Sequence, residues 1–147
     1  MSRSGRLSDV RYYFDADILG VAKIICALRA DCTYPGDPGG RVKNLTRPAC
    51  VITTTATPDV DWIPAITRQG LLILTRDAAI QSHRAEIAAV RESGARMVAR
   101  TGADASDNWH QLETLMTQWR RIEPLLGLPG PFIYSLTRTT LRQIDLS

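Results

Sequence analysis

The sequence predicts an α/β fold, three layers with a mainly parallel central sheet flanked by helices. Three observations carry that prediction. Runs of β-branched and aromatic residues alternate with helical patterns along the chain, the signature of parallel β-α-β units. Leu71-Leu-Ile-Leu-Thr75 is apolar at nearly every position, as a strand buried on both faces must be. The 147 residues, 44% hydrophobic and 22% charged, suit one globular domain.

Taken in order, Val10-Arg-Tyr-Tyr-Phe14 reads as a strand and Asp15-Ala-Asp17 as an acidic turn. Ile18 to Leu28 then reads as a buried helix. Asp31 to Arg47 holds Pro35, Gly36, Asp37, Pro38, Gly39 and Gly40 without periodicity, which predicts a long loop. Cys50-Val-Ile-Thr-Thr-Thr55 reads as a second strand, because its residues are mostly β-branched. Thr57-Pro-Asp59-Val-Asp61 carries helix-start signals before Trp62 to Gln69, and Gly70 suits the helix end. After the Leu71–Thr75 strand, a helix is expected from about Ala78 to Ser93, closed by Gly94, followed by an Ala95–Ala99 strand. Trp109, Leu112, Leu115, Met116, Trp119 and Ile122 recur at helical spacing, and the two tryptophans and Met116 are expected to pack that helix on the sheet. Phe132 to Leu136 reads as an edge strand. The whole is one domain over residues 10–147, with core motifs in 10–99 and a C-terminal helix and tail in 106–147.

The charged residues are skewed: 16 Arg against 2 Lys, and 11 Asp against 4 Glu. Arg suits phosphate and Asp suits helix starts, turns and hard metals. The net charge of +3 is only modestly basic for a nucleic-acid binder. Cys26, Cys32 and Cys50 cannot all pair, and with only His83 and His110 the chain has no zinc-type spacing. No apolar leader opens the sequence and no run is long enough to span a bilayer, so the reading is a cytoplasmic protein.

In an open parallel sheet, ligands bind beyond the carboxyl ends of the strands. Asp15, Asp17 and Asp77 follow strands directly, and Asp61 opens a helix whose start returns to that same edge. Each alone is a good helix cap. Together they would repel unless Mg²⁺ or Mn²⁺ neutralised them, and such a site supports phosphodiester hydrolysis.

Tyr12-Tyr-Phe-Asp15-Ala-Asp17-Ile-Leu19, followed by Asp61 through Gly70 to Leu71-Leu-Ile-Leu-Thr75-Arg76-Asp77, resembles the PIN domain. In that pattern an acidic residue ends a strand, a second opens a later helix, and an apolar strand leads to Thr-Arg-Asp. The resemblance implies a metal-dependent endoribonuclease, a VapC-type toxin of a bacterial toxin–antitoxin pair, in a shortened and divergent branch. It implies Asp15, Asp61 and Asp77 as catalytic residues, and Asp15, Asp17, Asp61 and Asp77 as ligands for Mg²⁺ or Mn²⁺. The family's further acid has no assigned counterpart, since no Glu precedes Glu86; Asp59 and Asp37 are the candidates. Arg76, Arg84 and Arg91 are candidate RNA phosphate contacts, and His83 reads as a packing residue. The implied partners are an RNA substrate (tRNA, rRNA or mRNA), a cognate antitoxin and a second copy in a homodimer. Two alternatives remain: a haloacid-dehalogenase-type phosphohydrolase using Asp15 and Asp17, though no Lys follows Lys43, or a non-catalytic PIN-like module.

Overall fold

The computed structural model describes residues 6–147; Met1 to Gly5, part of the segment read as lacking a leader, lie outside it. The strands are β1 (Arg6–Leu7), β2 (Tyr12–Phe14), β3 (Cys32–Thr33), β4 (Gly40–Val42), β5 (Leu45–Arg47), β6 (Leu72–Arg76), β7 (Arg96–Arg100), β8 (Phe132–Leu136) and β9 (Leu141–Gln143). The helices are α1 (Leu19–Leu28), α2 (Asp59–Arg68), α3 (Arg84–Ser93) and α4 (Asn108–Ile122). Six strands form the central sheet in the order β3-β2-β6-β7-β8-β9, and every pairing is parallel except β8 with β9. A small second sheet joins β1, β5 and β4.

Alternation along the strands sorts the core into two layers. Tyr12, Phe14, Leu72, Leu74 and Val98 face Val21, Ala22 and Ile25 of α1 and Leu115 and Ile122 of α4. Tyr13, Ile73, Met97 and Ala99 face Trp62, Ile63 and Ile66 of α2 and Ile87 and Val90 of α3. The expected three-layer α/β fold with a mainly parallel sheet is therefore present. Among the described residues no helix is long and apolar enough to cross a membrane.

Several local expectations are corrected. Cys50–Thr55 is not a strand, despite its β-branched residues: its backbone meets the preceding loop at isolated points, Cys50 N–H to Asp37 O and Gly36 N–H to Ile52 O, and never forms a ladder. The strand that pairs with β2 is β3 instead. The expected loop from Asp31 to Arg47 contains β3 and the β4–β5 hairpin, whose turn is closed with Lys43 at φ 56°. Its fold depends on a buried tertiary ion pair: Arg47 grips Asp37 through Nε (2.7 Å) and Nη2 (3.1 Å), and its Nη1 reaches the Cys26 carbonyl of α1. Local pattern does not encode such an anchor.

The third correction is at β8, which is interior because β9 pairs along its outer side. The next concerns α4. Trp119 packs on Tyr12 with ring centroids 4.7 Å apart, but Trp109 and Met116 are each 70% exposed, so the apolar stripe is wider than the surface the sheet can cover. The helix expected from Ala78 begins with a short 3₁₀ turn, Ile80–Ser82, and α3 proper starts at Arg84.

Candidate metal centre

The carboxyl ends of β2 and β6 lie side by side, with Tyr12, Tyr13 and Phe14 in register with Leu72, Ile73 and Leu74. This register carries Asp15 and Asp17 to the end of β6. The Asp15 amide continues the ladder by donating to Leu74 O (2.9 Å), and the Asp15 carboxylate caps the following turn by accepting from the Ala16 amide (2.6 Å). The buried Thr75 hydroxyl stands between two acids, 2.8 Å from Asp17 Oδ2 and 3.2 Å from Asp15 Oδ2. A hydroxyl has one proton to give, so it can satisfy only one of these carboxylates at a time. Asp17 also accepts from the Arg76 amide (3.1 Å).

Asp77 follows β6 and is fixed by the neighbouring strand, its amide donating to Arg100 O (3.0 Å). One carboxylate oxygen accepts from the Ala79 amide (3.0 Å), and the other is hydrogen-bonded to His83 Nδ1. Glu86, in the first turn of α3, completes a group in which one donor atom each from Asp77, His83 and Glu86 lies within 4.8 Å of the others. Asp17, Arg76, Asp77, His83 and Glu86 share the wall of an open pocket of about 400 Å³ with Gly102, Ala103, Ala105 and Ser106.

The electrostatics show how short of cations this edge is. Asp15 is pushed up to about 7, first by burial and then by the charges of Asp17 and Asp59. Glu86 is likewise pushed up to about 7 by burial, then by Asp59, Asp77, Asp15 and Asp17. The Asp17 carboxyl is raised by loss of water around it, and hydrogen bonds from Arg76 N–H and Thr75, with the Arg76 charge, hold it back. Carboxylates that hold protons near neutrality because they are buried, and secondarily because they face one another, are a donor set suited to a hard cation. The residues therefore fit Mg²⁺ or Mn²⁺.

The sequence-predicted residues divide clearly. Asp15, Asp17 and Asp77 converge. On α2, the carboxylate that acts on Asp15 and Glu86 is Asp59, which is held toward the sheet by the Trp62 indole N–H (2.8 Å). Trp62 is itself buried against Tyr13. Asp61 is two residues further along the helix, about 200° around its axis, and like Asp59 it is exposed. Asp37 is taken up elsewhere: Arg47, Thr33 and the Gly39 amide occupy both its oxygens. Arg76 lines the pocket and Arg84 stands exposed at the start of α3. Arg91, in the last turn of α3, is at the opposite edge and donates to Leu146 O (2.7 Å).

Sequence reasoning passed over Glu86 and His83. His83 is a hydrogen-bond partner of Asp77 with its side chain 54% exposed, rather than a packing residue. A signal for Glu86 was present: a first-turn acid on a crossover helix returns to the carboxyl edge, the same argument that drew attention to α2.

The model of a family described as a PIN-like domain matches residues 13–102, which span β2 to the end of β7 and every acid of this cluster. No curated protein and no solved structure matches the chain. PIN domains are generally nucleases that use Mg²⁺ or Mn²⁺, in accord with an acidic, cation-poor sheet edge. On that match, which covers more than half its length, the chain belongs to the PIN-like domain family.

Proposed function

We propose that this protein is a metal-dependent endoribonuclease, the VapC-type toxin of a bacterial toxin–antitoxin pair, acting in the cytoplasm on tRNA, rRNA or mRNA. The observation that carries the nuclease reading is the convergence of carboxylates from the ends of β2 and β6 and the starts of α2 and α3, without enough cationic groups to neutralise them. Asp15, Asp17, Asp59, Asp77 and Glu86 hold Mg²⁺ or Mn²⁺ in this proposal, with His83 beside Asp77. Such an ion polarises the phosphate and lowers the pKa of water, so hydrolysis needs no covalent intermediate. Thr75 orients Asp15 and Asp17 from beneath, and Asp77 holds His83 at Nδ1, leaving Nε2 to exchange a proton. Arg76 supplies a cation at the pocket wall for the substrate's phosphate.

The antitoxin and the second copy of a homodimer are assigned in this proposal to the apolar face between α1 and α4. There Leu28, Trp109 and Met116 are 70% exposed or more, beside a groove of about 240 Å³ lined by Ile25, Leu112 and Trp119.

The test is RNA cleavage in Mn²⁺ by wild-type and Asp77→Asn protein, together with growth arrest on expression. The proposal expects the substitution to reduce cleavage by about 100-fold or more and to relieve arrest. Equal rates for the two proteins would overturn it.

A further inference from the structure

The 3₁₀ turn Ile80–Ser82 has two sides, and the metal centre uses only one of them. On that side the segment is tied to the acids, since Asp77 accepts from the Ala79 amide (3.0 Å) and is bonded to His83. On the other side Gln81 and Ser82 wall a second cavity, of about 300 Å³, which Thr101, just past β7, and Ser135 of β8 complete. Ala78 and Gly102 line both cavities, so the two meet at a seam without a bulky side chain. Gly102 takes φ +101°, where a larger residue would be strained, and this keeps the seam open.

Strand register sets the spacing between the two cavities. Thr75, which stands beneath Asp15 and Asp17, is in register with Ala99, and Ala99 is in register with Ser135. Ser135 is therefore two strand spacings, about 10 Å, along the sheet edge from Thr75.

The second cavity differs from the metal centre in kind. None of its lining residues is charged, so it offers a phosphate or a cation no counter-charge. A neutral group with its own donors and acceptors fits it better. The Thr101 and Ser135 hydroxyls lie 2.7 Å apart, and either can donate to the other. One proton serves that pair and the second is left for a ligand. Gln81 is exposed, and its carboxamide presents a donor and an acceptor side by side, the complement of a nucleobase edge.

We propose that this cavity takes an unstacked nucleobase of the RNA, flanking the cleaved phosphate, and so selects the sequence that is cut. Sequence-specific recognition of RNA works on such bases, whose edges are free of pairing. The inference rests on the nuclease reading for RNA as the ligand, and on the shared seam and the uncharged lining for the location.

The four nucleosides carry base and ribose but no phosphate, and so probe this cavity apart from Arg76 and the metal centre. Titrated into ¹⁵N-labelled metal-free protein and followed by NMR, one or two of them are expected to shift the Gln81, Ser82 and Gly102 amides. These should bind about fivefold or more tightly than the rest. Gln81→Ala, at an exposed position, and Ser135→Ala are each expected to weaken the preferred nucleoside by about fivefold. In Mn²⁺, RNAs that differ only in the base beside the cleaved bond should show the same preference, flattened in both variants. No shift at those amides would overturn the inference, as would equal affinity for all four nucleosides, which reports contact with ribose alone. A cleavage preference unchanged in both variants also overturns it and leaves the nuclease reading intact. Base-selective binding by a protein that cuts no RNA defeats the nuclease reading and leaves the base site standing.

Discussion

Asp37 and the acids of the sheet edge are the same chemistry in opposite circumstances. Under the β4–β5 hairpin, Asp37 is completely buried, yet Arg47 meets it with two parallel N–H donors and Thr33 and Gly39 fill the remaining acceptor sites. At the carboxyl edge, Asp15 and Glu86 are driven up to about 7, first by burial and then by neighbouring carboxylates that include Asp17 and Asp59. The first arrangement is closed and serves the fold. The second is open to a cation the chain does not provide, and so is suited to function at the expense of stability. A buried carboxylate is therefore informative only once its partners are counted.

The contrast is broken most severely at the hairpin. Asp37→Ala leaves Arg47 buried and alone, and is expected to cost about 3–5 kcal/mol, on the order of 10 °C in Tm by calorimetry. Asp15→Asn should do the reverse in metal-free protein, holding or raising Tm while abolishing any gain from Mn²⁺.

Next in size is the pH dependence. A carboxyl raised from 3.8 to about 7 binds more protons folded than unfolded between those values, so stability falls as pH rises through that window. Metal-free protein should lose about 5 °C or more between pH 4.5 and 7.5, and Mn²⁺ should flatten the curve by replacing the protons. A Tm that rises with pH in EDTA would contradict the raised carboxyl groups.

Two α2 variants sharpen the comparison within one helix. Asp59→Asn is expected to reduce Mn²⁺-dependent cleavage about tenfold or more, whereas Asp61→Asn, about 200° further around the helix, should stay within about twofold. The smallest effect belongs to the α4 surface: Trp109→Ser should change Tm by no more than about 2 °C, since an exposed side chain contributes little to folding, while weakening capture of an antitoxin.

Legibility in the sequence followed how local each cause is. Leu72–Thr75 and the inner stripe of α4 could be read because a strand buried on both faces and a helix with an apolar stripe leave periodic marks, whereas α1, expected to be buried, turns Ile24 and Leu28 outward. Asp15, Asp17 and Asp77 could be placed because strand ends define an edge. The hairpin could not, since Arg47 finds Asp37 and the Cys26 carbonyl only in three dimensions. Cys50–Thr55 looked like a strand because β-branched residues favour extended backbone, but it meets the Gly36–Asp37 turn only through isolated backbone hydrogen bonds. On α2, Asp59 and Asp61 both sit in the first turn, and choosing between them needed the helical phase that Trp62 sets by its bond to Asp59. Trp109 and Met116 share the period of the buried stripe, and period alone does not say how wide a surface the sheet covers.

The most direct test of the central claim is calorimetric titration of Mn²⁺ into metal-free protein near pH 7, repeated in buffers of different ionisation enthalpy. The account predicts saturable binding with release of protons from Asp15 and Glu86, and a smaller release in Glu86→Gln. Binding without proton release, or no binding at all, would contradict it.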